Sequence, residues 1–201
     1  AEIADRGVHV ALGHSDATYE EALACVNAGA DIFVHTYNGM SGLHHREPGM
    51  VGAAMTTHGT YAEAICDGHH LNPIAVRALV NAKGYDHTVL ITDCMRAGGM
   101  PNGQYKLGDF PVVVEGGTAR LMDESHSLAG SILRLFEGVK NVFDWGIVSA
   151  EEAVRMASEN PARSCGIDDV CGFIRPGYDA DFIIVTKDLQ LEETFLGGKS
   201  V

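Results

Sequence analysis

Short apolar runs rich in β-branched residues alternate with longer amphipathic stretches over the first 92 residues of the chain. The apolar runs predict four strands, at residues 8–13, 31–35, 61–66 and 88–92. The stretches between them predict helices at residues 18–28, 50–57 and 73–83. Asn72 and Pro73 support the third helix, because asparagine is a favoured N-cap and proline a favoured first helical residue. This alternation predicts an α/β fold with a parallel sheet.

The pattern changes after Asp93, where glycine and turn-forming residues become frequent. Residues 97–122 predict a loop followed by a β-hairpin that turns at residues 116 and 117. Two helices are predicted at residues 131–143 and 149–158, then a turn at 160–165 and short antiparallel strands after residue 171. The chain therefore divides into an α/β part, residues 1–165 with a hairpin insert near 110–123, and a β part, residues 166–201.

Polar side chains stand where the predicted parallel strands end. His14 and His35 close the first two strands, 21 residues apart, and Asp93 closes the fourth. The carboxyl ends of parallel strands share one face, where ligands bind in α/β folds. Neighbouring histidines there could share a divalent cation, at about 2.0–2.1 Å from each nitrogen. The alternatives are ordinary: a hydrogen-bonded structural histidine, and an aspartate that caps a helix or forms a loop ion pair rather than acting as a general base.

Further candidates follow the third strand and lie in the loops. Asp67 either belongs to the site or caps the turn before the third helix, and His69 and His70 are adjacent, so that only one, His70 by preference, faces the site. Arg46 suits a phosphate, although a lone loop arginine is usually solvated. Residues 125–133 place Gly130 at a predicted helix start, where backbone amides meet ligand oxygens. Gly39, Gly68 and Gly130 allow close backbone approach to a ligand, or only turn geometry.

Composition narrows the classes of function. A net charge of −13 argues against a nucleic-acid surface, which needs clustered basic residues, but not against an anionic small molecule. The five cysteines form no CxxC motif, and they predict reduced thiols in a cytoplasmic protein. No apolar run has the length of a membrane-spanning helix.

Motifs over nearly the whole chain resemble those of the N-acetylglucosamine-6-phosphate deacetylase family, within the amidohydrolase superfamily. They are LGHSDATYEEA, VHTYNGM, HHREPG, CDGHH, VLITD, SLAGS, NPARSCGI and GFIRPGYDADFIIV. The resemblance implies a (β/α)8 TIM-type barrel with a small β-sandwich. This chain would supply the C-terminal half, with about four of the eight β/α units and the C-terminal strands of the sandwich. The first barrel strands, a metal-binding glutamate and a histidine that polarises the substrate carbonyl are expected upstream of Ala1.

The resemblance also implies roles for individual residues. His14 and His35 would bind a divalent metal, with zinc the best match and iron, cobalt or manganese also suitable, and Asp93 would be the general acid/base. The implied substrate-binding residues are Asn38, Gly39, Arg46, Asp67, Gly68, His69, His70, Leu128, Ala129 and Gly130. Arg46 would reach the neighbouring site of a homodimer. Two positions depart from the family pattern, since Gly39 and Cys94 stand where alanine is usual.

The implied reaction is hydrolysis of the N-acetyl amide of N-acetylglucosamine 6-phosphate, which gives glucosamine 6-phosphate and acetate. Two alternatives stand beside it. One is a catalytically incomplete fragment that only binds sugar phosphate or pairs with a partner chain. The other is a different amidohydrolase, such as a hydrolase of cyclic amides, although that chemistry has no use for the phosphate-binding arginine Arg46.

Overall fold

Four parallel strands form the central sheet of the protein, whose computed structural model describes residues 1–201. The strands are β1 (Ala11–Leu12), β2 (Ile32–Phe33), β3 (Tyr61–Ile65) and β4 (Thr88–Ile91), and they lie side by side in chain order. The connecting helices are α1 (Tyr19–Asn27), α2 (Gly49–Thr56) and α3 (Pro73–Lys83). The predicted α/β fold with a parallel sheet is confirmed.

Local sequence explains where these helices begin. Thr18 accepts a hydrogen bond from the amide of Glu21 while the Glu21 carboxylate accepts one from the amide of Thr18, which is a capping box at the start of α1. Asn72 accepts from the amide of Ile74, and Pro73 fills the first position of α3, as predicted. These caps satisfy amides that have no partner within the helix.

The first two strands are shorter than predicted. Their ladder ends at Leu12 and Phe33, because His14 and His35 have φ values of 44° and 27° and so leave the extended conformation. Strand β1 is also an edge strand that pairs only with β2, and this contributes to its short length.

Helices α4 (Leu135–Asp144), α5 (Ala150–Ala157) and α6 (Glu159–Ser164) follow the sheet. The predicted helix at 131–143 begins later than expected, because Ser131 pairs with Cys94 as a parallel β-bridge. The turn predicted at 160–165 lies in α6, except for its last residue, which caps the helix. Asn160 holds this helix to the sheet, because its buried amide donates to the carbonyls of Tyr85 and Thr88.

The main core lies where helices α3, α4 and α5 pack together with the sheet. Its largest fully buried side chains include Leu79, Val76, Val142 and Met156. A smaller cluster, formed by Phe33, Met50 and three alanines, joins α1 and α2 to the sheet. These clusters hold the strands, and therefore the strand ends, in fixed relation to one another.

The insert after β4 is a three-stranded antiparallel sheet rather than a hairpin. Its strands are β5 (Gly103–Leu107), β6 (Phe110–Glu115) and β7 (Thr118–Leu121). The predicted turn at residues 116 and 117 joins β6 to β7. The loop predicted from the glycine and turn residues before the hairpin is wrong over residues 103–107, because this segment pairs with β6 as strand β5. Val112, Val114 and Ala119 form a small core with Met95 and Ala129, which fixes the insert beside the end of β4.

The predicted antiparallel strands at the end of the chain form a second small sheet. Its strands are β8 (Phe182–Val185), β9 (Leu191–Leu196) and β10 (Lys199–Ser200), in the order β10-β9-β8. Phe182 and Phe195 stack across β8 and β9 with ring centroids 4.5 Å apart. None of the helices in the fold is both long and apolar enough to cross a membrane.

Two residues of α3 test the position of the core. Leu79 is 0% exposed and Ile74 is 70% exposed. Leu79→Ala should lower the free energy of unfolding by about 2–5 kcal/mol, because it leaves a cavity among packed side chains. Ile74→Ala should change it by less than about 0.5 kcal/mol. Urea-induced unfolding of both variants measures the difference, and equal effects would contradict this description of the core.

Candidate active site

The four parallel strands end in register at one edge of the sheet, and each is followed by a histidine or an aspartate. His14, His35, Asp67 and Asp93 come two residues after the last residue of β1, β2, β3 and β4 respectively. The pairings of Leu12 with Phe33 and of Ile65 with Ile91 align the ends of neighbouring strands. The topology therefore brings all four side chains to the same edge.

Three of these residues have a left-handed backbone. His14, His35 and Asp93 have φ values of 44°, 27° and 47°, and only Tyr37, His126 and Leu189 share a positive φ among the non-glycine residues. A residue with a Cβ in this conformation costs roughly 1–2 kcal/mol. Strain of this kind concentrates at functional sites, where the surrounding structure imposes it. Half of this strain thus lies at the strand ends that the sequence singles out.

A cleft of about 610 Å³ opens at this edge. It is lined by the following predicted site residues: His14, His35, Asn38, Gly39, His70, Asp93, Leu128, Ala129 and Gly130. Arg46, Asp67, Gly68 and His69 do not line it. The structure thus brings together the two histidines, the predicted acid/base and most of the predicted substrate-binding residues.

The two histidines lie against each other in the cleft. Their ring centroids are 4.6 Å apart and the rings are nearly perpendicular. Gly39 packs on the first ring, since a Cβ at that position would come within 2.8 Å of Nδ1 of His14. The amide of Ser15 donates to the carbonyl of Gly39 at 2.9 Å, which ties the loop after β2 to the end of β1.

The arrangement fits a divalent metal. Nδ1 of His35 is buried and has no hydrogen-bond partner, and an unpaired buried polar atom costs about 1–3 kcal/mol. Imidazole nitrogens are common ligands of zinc and of other first-row divalent metals. No group of three or more His, Cys, Asp or Glu side chains has metal-binding geometry. The cleft therefore brings two histidines together as candidate metal ligands.

Asp93 lies beside the segment that contains Leu128, Ala129 and Gly130. The amide of Ser131 donates to the carbonyl of Asp93 at 2.8 Å, and the amide of Met95 donates to the carbonyl of Ser131 at 2.9 Å. The prediction that Gly130 begins a helix is wrong, because this segment continues the sheet edge beyond β4 and α4 begins only at Leu135. Gly130 has a φ of 63°, and a Cβ there would approach the carbonyl of Asp93.

Asp67 holds His70 instead of lining the cleft. Its carboxylate contacts Nδ1 of His70 at 2.7 Å through Oδ2 and accepts from the amides of His69 and His70 through Oδ1, both at 2.8 Å. Burial raises the pKa of this carboxyl, but the hydrogen bonds from His70 and His69 outweigh that effect and hold the pKa below its usual range. Of the two adjacent histidines, His70 faces the cleft and His69 is exposed outside it.

Arg46 is exposed and lies outside the cleft. Its Nη1 is 2.8 Å from Nε2 of the neighbouring His45. It therefore does not act within the cleft of its own chain in this conformation, and its contact with a phosphate, in its own site or across a dimer, stays a prediction.

Several residues at the site were missed by sequence reasoning. Leu107, Phe110 and Leu121 of the insert form an apolar wall of the cleft. Glu63, on β3, accepts from the amide of His35 at 3.4 Å, and burial raises the pKa of its carboxyl. A signal for Glu63 was present, because it is a lone charge within the apolar run YAEAIC. The sequence contained no signal for the apolar wall, because the position of the wall depends on long-range folding of the insert.

A parallel α/β sheet with two histidines and an aspartate at its strand ends defines a class of enzyme-like proteins that act at the carboxyl edge of the sheet, with donors suited to a divalent metal. The model of the amidohydrolase family matches residues 1–201. The chain belongs to this family.

Relatives within the family are named for sugar-phosphate deacetylation. The chain is 47% identical over 195 residues to the N-acetylglucosamine-6-phosphate deacetylase of Vibrio furnissii, which covers 97% of this chain and 48% of the relative. It is 43% identical over 194 residues to the N-acetylgalactosamine-6-phosphate deacetylase of Escherichia coli O157:H7, which covers 96% and 51%. The chain thus spans about half the length of the curated relatives it matches.

Solved structures agree with the fold. The N-acetylglucosamine-6-phosphate deacetylase of Pasteurella multocida matches with a TM-score of 0.93 and 29% identity, covering 100% of this chain and 52% of that structure. A variant of the Mycobacterium smegmatis enzyme, solved in complex with N-acetyl-D-glucosamine-6-phosphate, matches with a TM-score of 0.90 and 30% identity, covering 99% and 52%.

The backbone at Asp93 provides a test of the strained strand end. Asp93→Gly should have a free energy of unfolding about 1 kcal/mol higher than Asp93→Ala, because glycine adopts a positive φ without the Cβ clash. At Lys106, an exposed residue of strand β5, the order should reverse, since glycine weakens a regular strand. Urea-induced unfolding of the four variants measures both differences. The same order at the two positions would mean that Asp93 carries no such strain.

Proposed function

We propose that this chain forms the catalytic face of an N-acetylglucosamine-6-phosphate deacetylase, which hydrolyses the N-acetyl amide to glucosamine 6-phosphate and acetate. The observation that carries the proposal is that His14, His35 and Asp93 follow three strands of one parallel sheet at equivalent positions and line the same cleft. The names of the relatives support the substrate. Because the chain spans half of their length, the activity is proposed for the protein to which this chain contributes.

The finer architecture is part of the same proposal. The four-stranded sheet would be four consecutive units of a (β/α)8 barrel, within residues 1–165, and residues 166–201 would contribute strands to a small β-sandwich. The TM-score of 0.93 over the whole chain supports this division. In a closed barrel the free edges of β1 and β4 would be paired, which removes the tendency of exposed strand edges to aggregate.

His14 and His35 would hold the metal at the carboxyl edge of the sheet. A divalent cation bound there supplies Lewis-acid activation of water and of the amide carbonyl. Zinc suits the two imidazoles, and iron, cobalt and manganese also accept such ligands. The unpaired Nδ1 of His35 supports this assignment, because coordination would satisfy a nitrogen that is otherwise buried without a partner.

Asp93 would act as general base and then as general acid. Its carboxylate takes a proton from the attacking water as the carbon–oxygen bond forms, and it returns the proton to the amide nitrogen as the carbon–nitrogen bond breaks. The amide nitrogen leaves as the amine of the sugar and the acetyl group as acetate. The left-handed turn at Asp93 supports this role, because it fixes the carboxylate at the strand end.

The remaining predicted residues would bind the sugar phosphate. Asn38, Gly39 and His70 face the cleft from the second and third strand ends, and Leu128, Ala129 and Gly130 face it from beside Asp93. Arg46 would bind the phosphate of a substrate held in the neighbouring subunit of a homodimer. This role is compatible with the exposed position of Arg46 on a loop outside the cleft of its own chain.

Metal binding can be tested directly. His14→Ala and His35→Ala should each lower the metal content of the purified protein to well below one equivalent, because each removes one of only two histidine ligands. His9→Ala is a matched control, since His9 pairs with Asp31 and does not line the cleft. Elemental analysis after dialysis against zinc measures the result. Unchanged metal content in both cleft variants would contradict the assignment.

Acetate release tests the reaction. The chain with added zinc is assayed alone and mixed with the N-terminal half of the Vibrio furnissii relative, against the 6-phosphates of N-acetylglucosamine and N-acetylgalactosamine and against N-acetylglucosamine itself. We expect the 6-phosphate of N-acetylglucosamine to be the best substrate and Asp93→Asn to lower kcat by about 10²-fold or more, because the amide cannot accept the proton. The galactosamine epimer is included because a relative is named for it.

The outcomes separate the alternatives. Preference for the galactosamine epimer would redirect the substrate assignment. Binding of a sugar phosphate without acetate release, both by the chain alone and by the mixture, would favour the catalytically incomplete fragment. Normal turnover by Asp93→Asn would remove Asp93 from the mechanism.

A further inference from the structure

The contact between Asp67 and His70 is the most completely enclosed contact between a carboxylate and a basic side chain in the protein. The exposed fractions of the two side chains are 9% and 7%, and the other histidine–carboxylate contacts are far more exposed. Three hydrogen bonds converge on the one carboxylate, two from backbone amides and one from the imidazole. Gly68, with a φ of 77°, provides the tight turn that points both amides back at Asp67.

This geometry determines where the imidazole carries its proton. A carboxylate can only accept hydrogen bonds, so the contact at 2.7 Å requires a proton on Nδ1 of His70. In the neutral ring the second nitrogen, Nε2, then has a free lone pair. Because Asp67 lies outside the cleft and His70 lines it, the edge of the ring that is turned away from Asp67 is the edge that can reach a ligand.

We infer that Asp67 is a positioning residue for ligand binding by His70: its Oδ2 keeps the ring proton on Nδ1 and presents Nε2 to the cleft. In its neutral form the ring can then accept a hydrogen bond from a hydroxyl group of the ligand through Nε2. The predicted role of Asp67 as a direct substrate contact is replaced by an indirect one. The inference rests on the proposed function only for the identity of the ligand, an N-acetylhexosamine 6-phosphate.

Asp67→Asn tests the inference directly, because it preserves the turn and moves the ring proton of His70 to the other nitrogen. The side-chain oxygen of asparagine can still accept from the amides of His69 and His70, while its NH₂ group replaces Oδ2 and donates to Nδ1. The ring proton should therefore move to Nε2. The ¹⁵N chemical shifts of the His70 ring, measured at a pH about two units above the ordinary histidine pKa of about 6.5, report which nitrogen is protonated. The spectrum of His70→Gln identifies the signals by their loss.

Asp31→Asn is the matched control. Asp31 contacts Nδ1 of His9 at 2.5 Å and accepts from the amide of Val10, so it has a similar pattern of bonds with one backbone amide instead of two. This pair lies at the amino ends of β1 and β2, away from the cleft, and is partly exposed. The control variant should alter the His9 signals and leave those of His70 unchanged. If Asp67→Asn leaves the His70 proton on Nδ1, the inference is overturned.

Ligand affinity provides the second measurement. The dissociation constant of N-acetylglucosamine 6-phosphate is measured by calorimetry in the Asp93→Asn background, where turnover is suppressed. Asp67→Asn should raise it roughly 10-fold or more, because Nε2 becomes a donor that faces the donor group of the ligand. In a His70→Ala background the same change should have no further effect, since the two residues act through one contact. A purely structural role would weaken binding in both backgrounds and would contradict the inference.

The two proposals fail in different ways. If the ligand does not bind to the unaltered chain, alone or mixed with the N-terminal half of the relative, the proposed function is contradicted, and the ring-proton result alone decides the inference. If the ligand binds and acetate is released while the ring proton stays in place, the function stands and the inference is wrong.

Discussion

The parallel register of four short strands is the constraint on which the site depends. Because β1 to β4 are aligned at their carboxyl ends, the residue two positions beyond each strand arrives at the same edge. No segment of the chain shorter than about 80 residues contains His14 and Asp93 together, so the site exists only through the sheet. The buried clusters on α1 to α5 serve function by holding this register, and any slip between strands would separate the cleft residues.

Left-handed residues at the strand ends lower the stability of the fold but end each strand abruptly at the cleft. An extended residue at position 14, 35 or 93 would send the chain onward in the plane of the sheet, whereas a positive φ ends the strand abruptly. A positive φ costs conformational free energy in a residue with a Cβ, and the packing of the sheet offsets this cost. Glycine would relieve the strain at each position, but it has no imidazole or carboxylate. The presence of histidine and aspartate at strained positions is therefore the strongest physical argument that these side chains act chemically.

Sequence reasoning recovered those parts of the fold whose signals are local. The four strands, α1 to α3 and the turn between β6 and β7 follow from periodicity, caps and paired glycines, and His14, His35 and Asp93 stand out because a polar residue follows an apolar run. The sequence did not predict strand β5, because its residues are mostly polar and exposed and the strand is held by pairing with β6. The late start of α4 was not predicted for a similar reason, because Ser131 pairs with Cys94, which is 37 residues away in the chain.

The two aspartate–histidine pairs show why contact chemistry alone could not locate function. Both join an Asp carboxylate to Nδ1 of a histidine, and in both the second carboxylate oxygen accepts from a backbone amide. They differ in surroundings. The side chains of His9 and Asp31 are partly exposed, so water competes for the hydrogen bonds of this pair. Around His70, burial removes that competition, so the contact can fix the ring in one orientation against the cleft. Burial is a property of the whole fold, and it distinguishes the enclosed contact of His70 from the more exposed contact of His9, whose local bonds are similar.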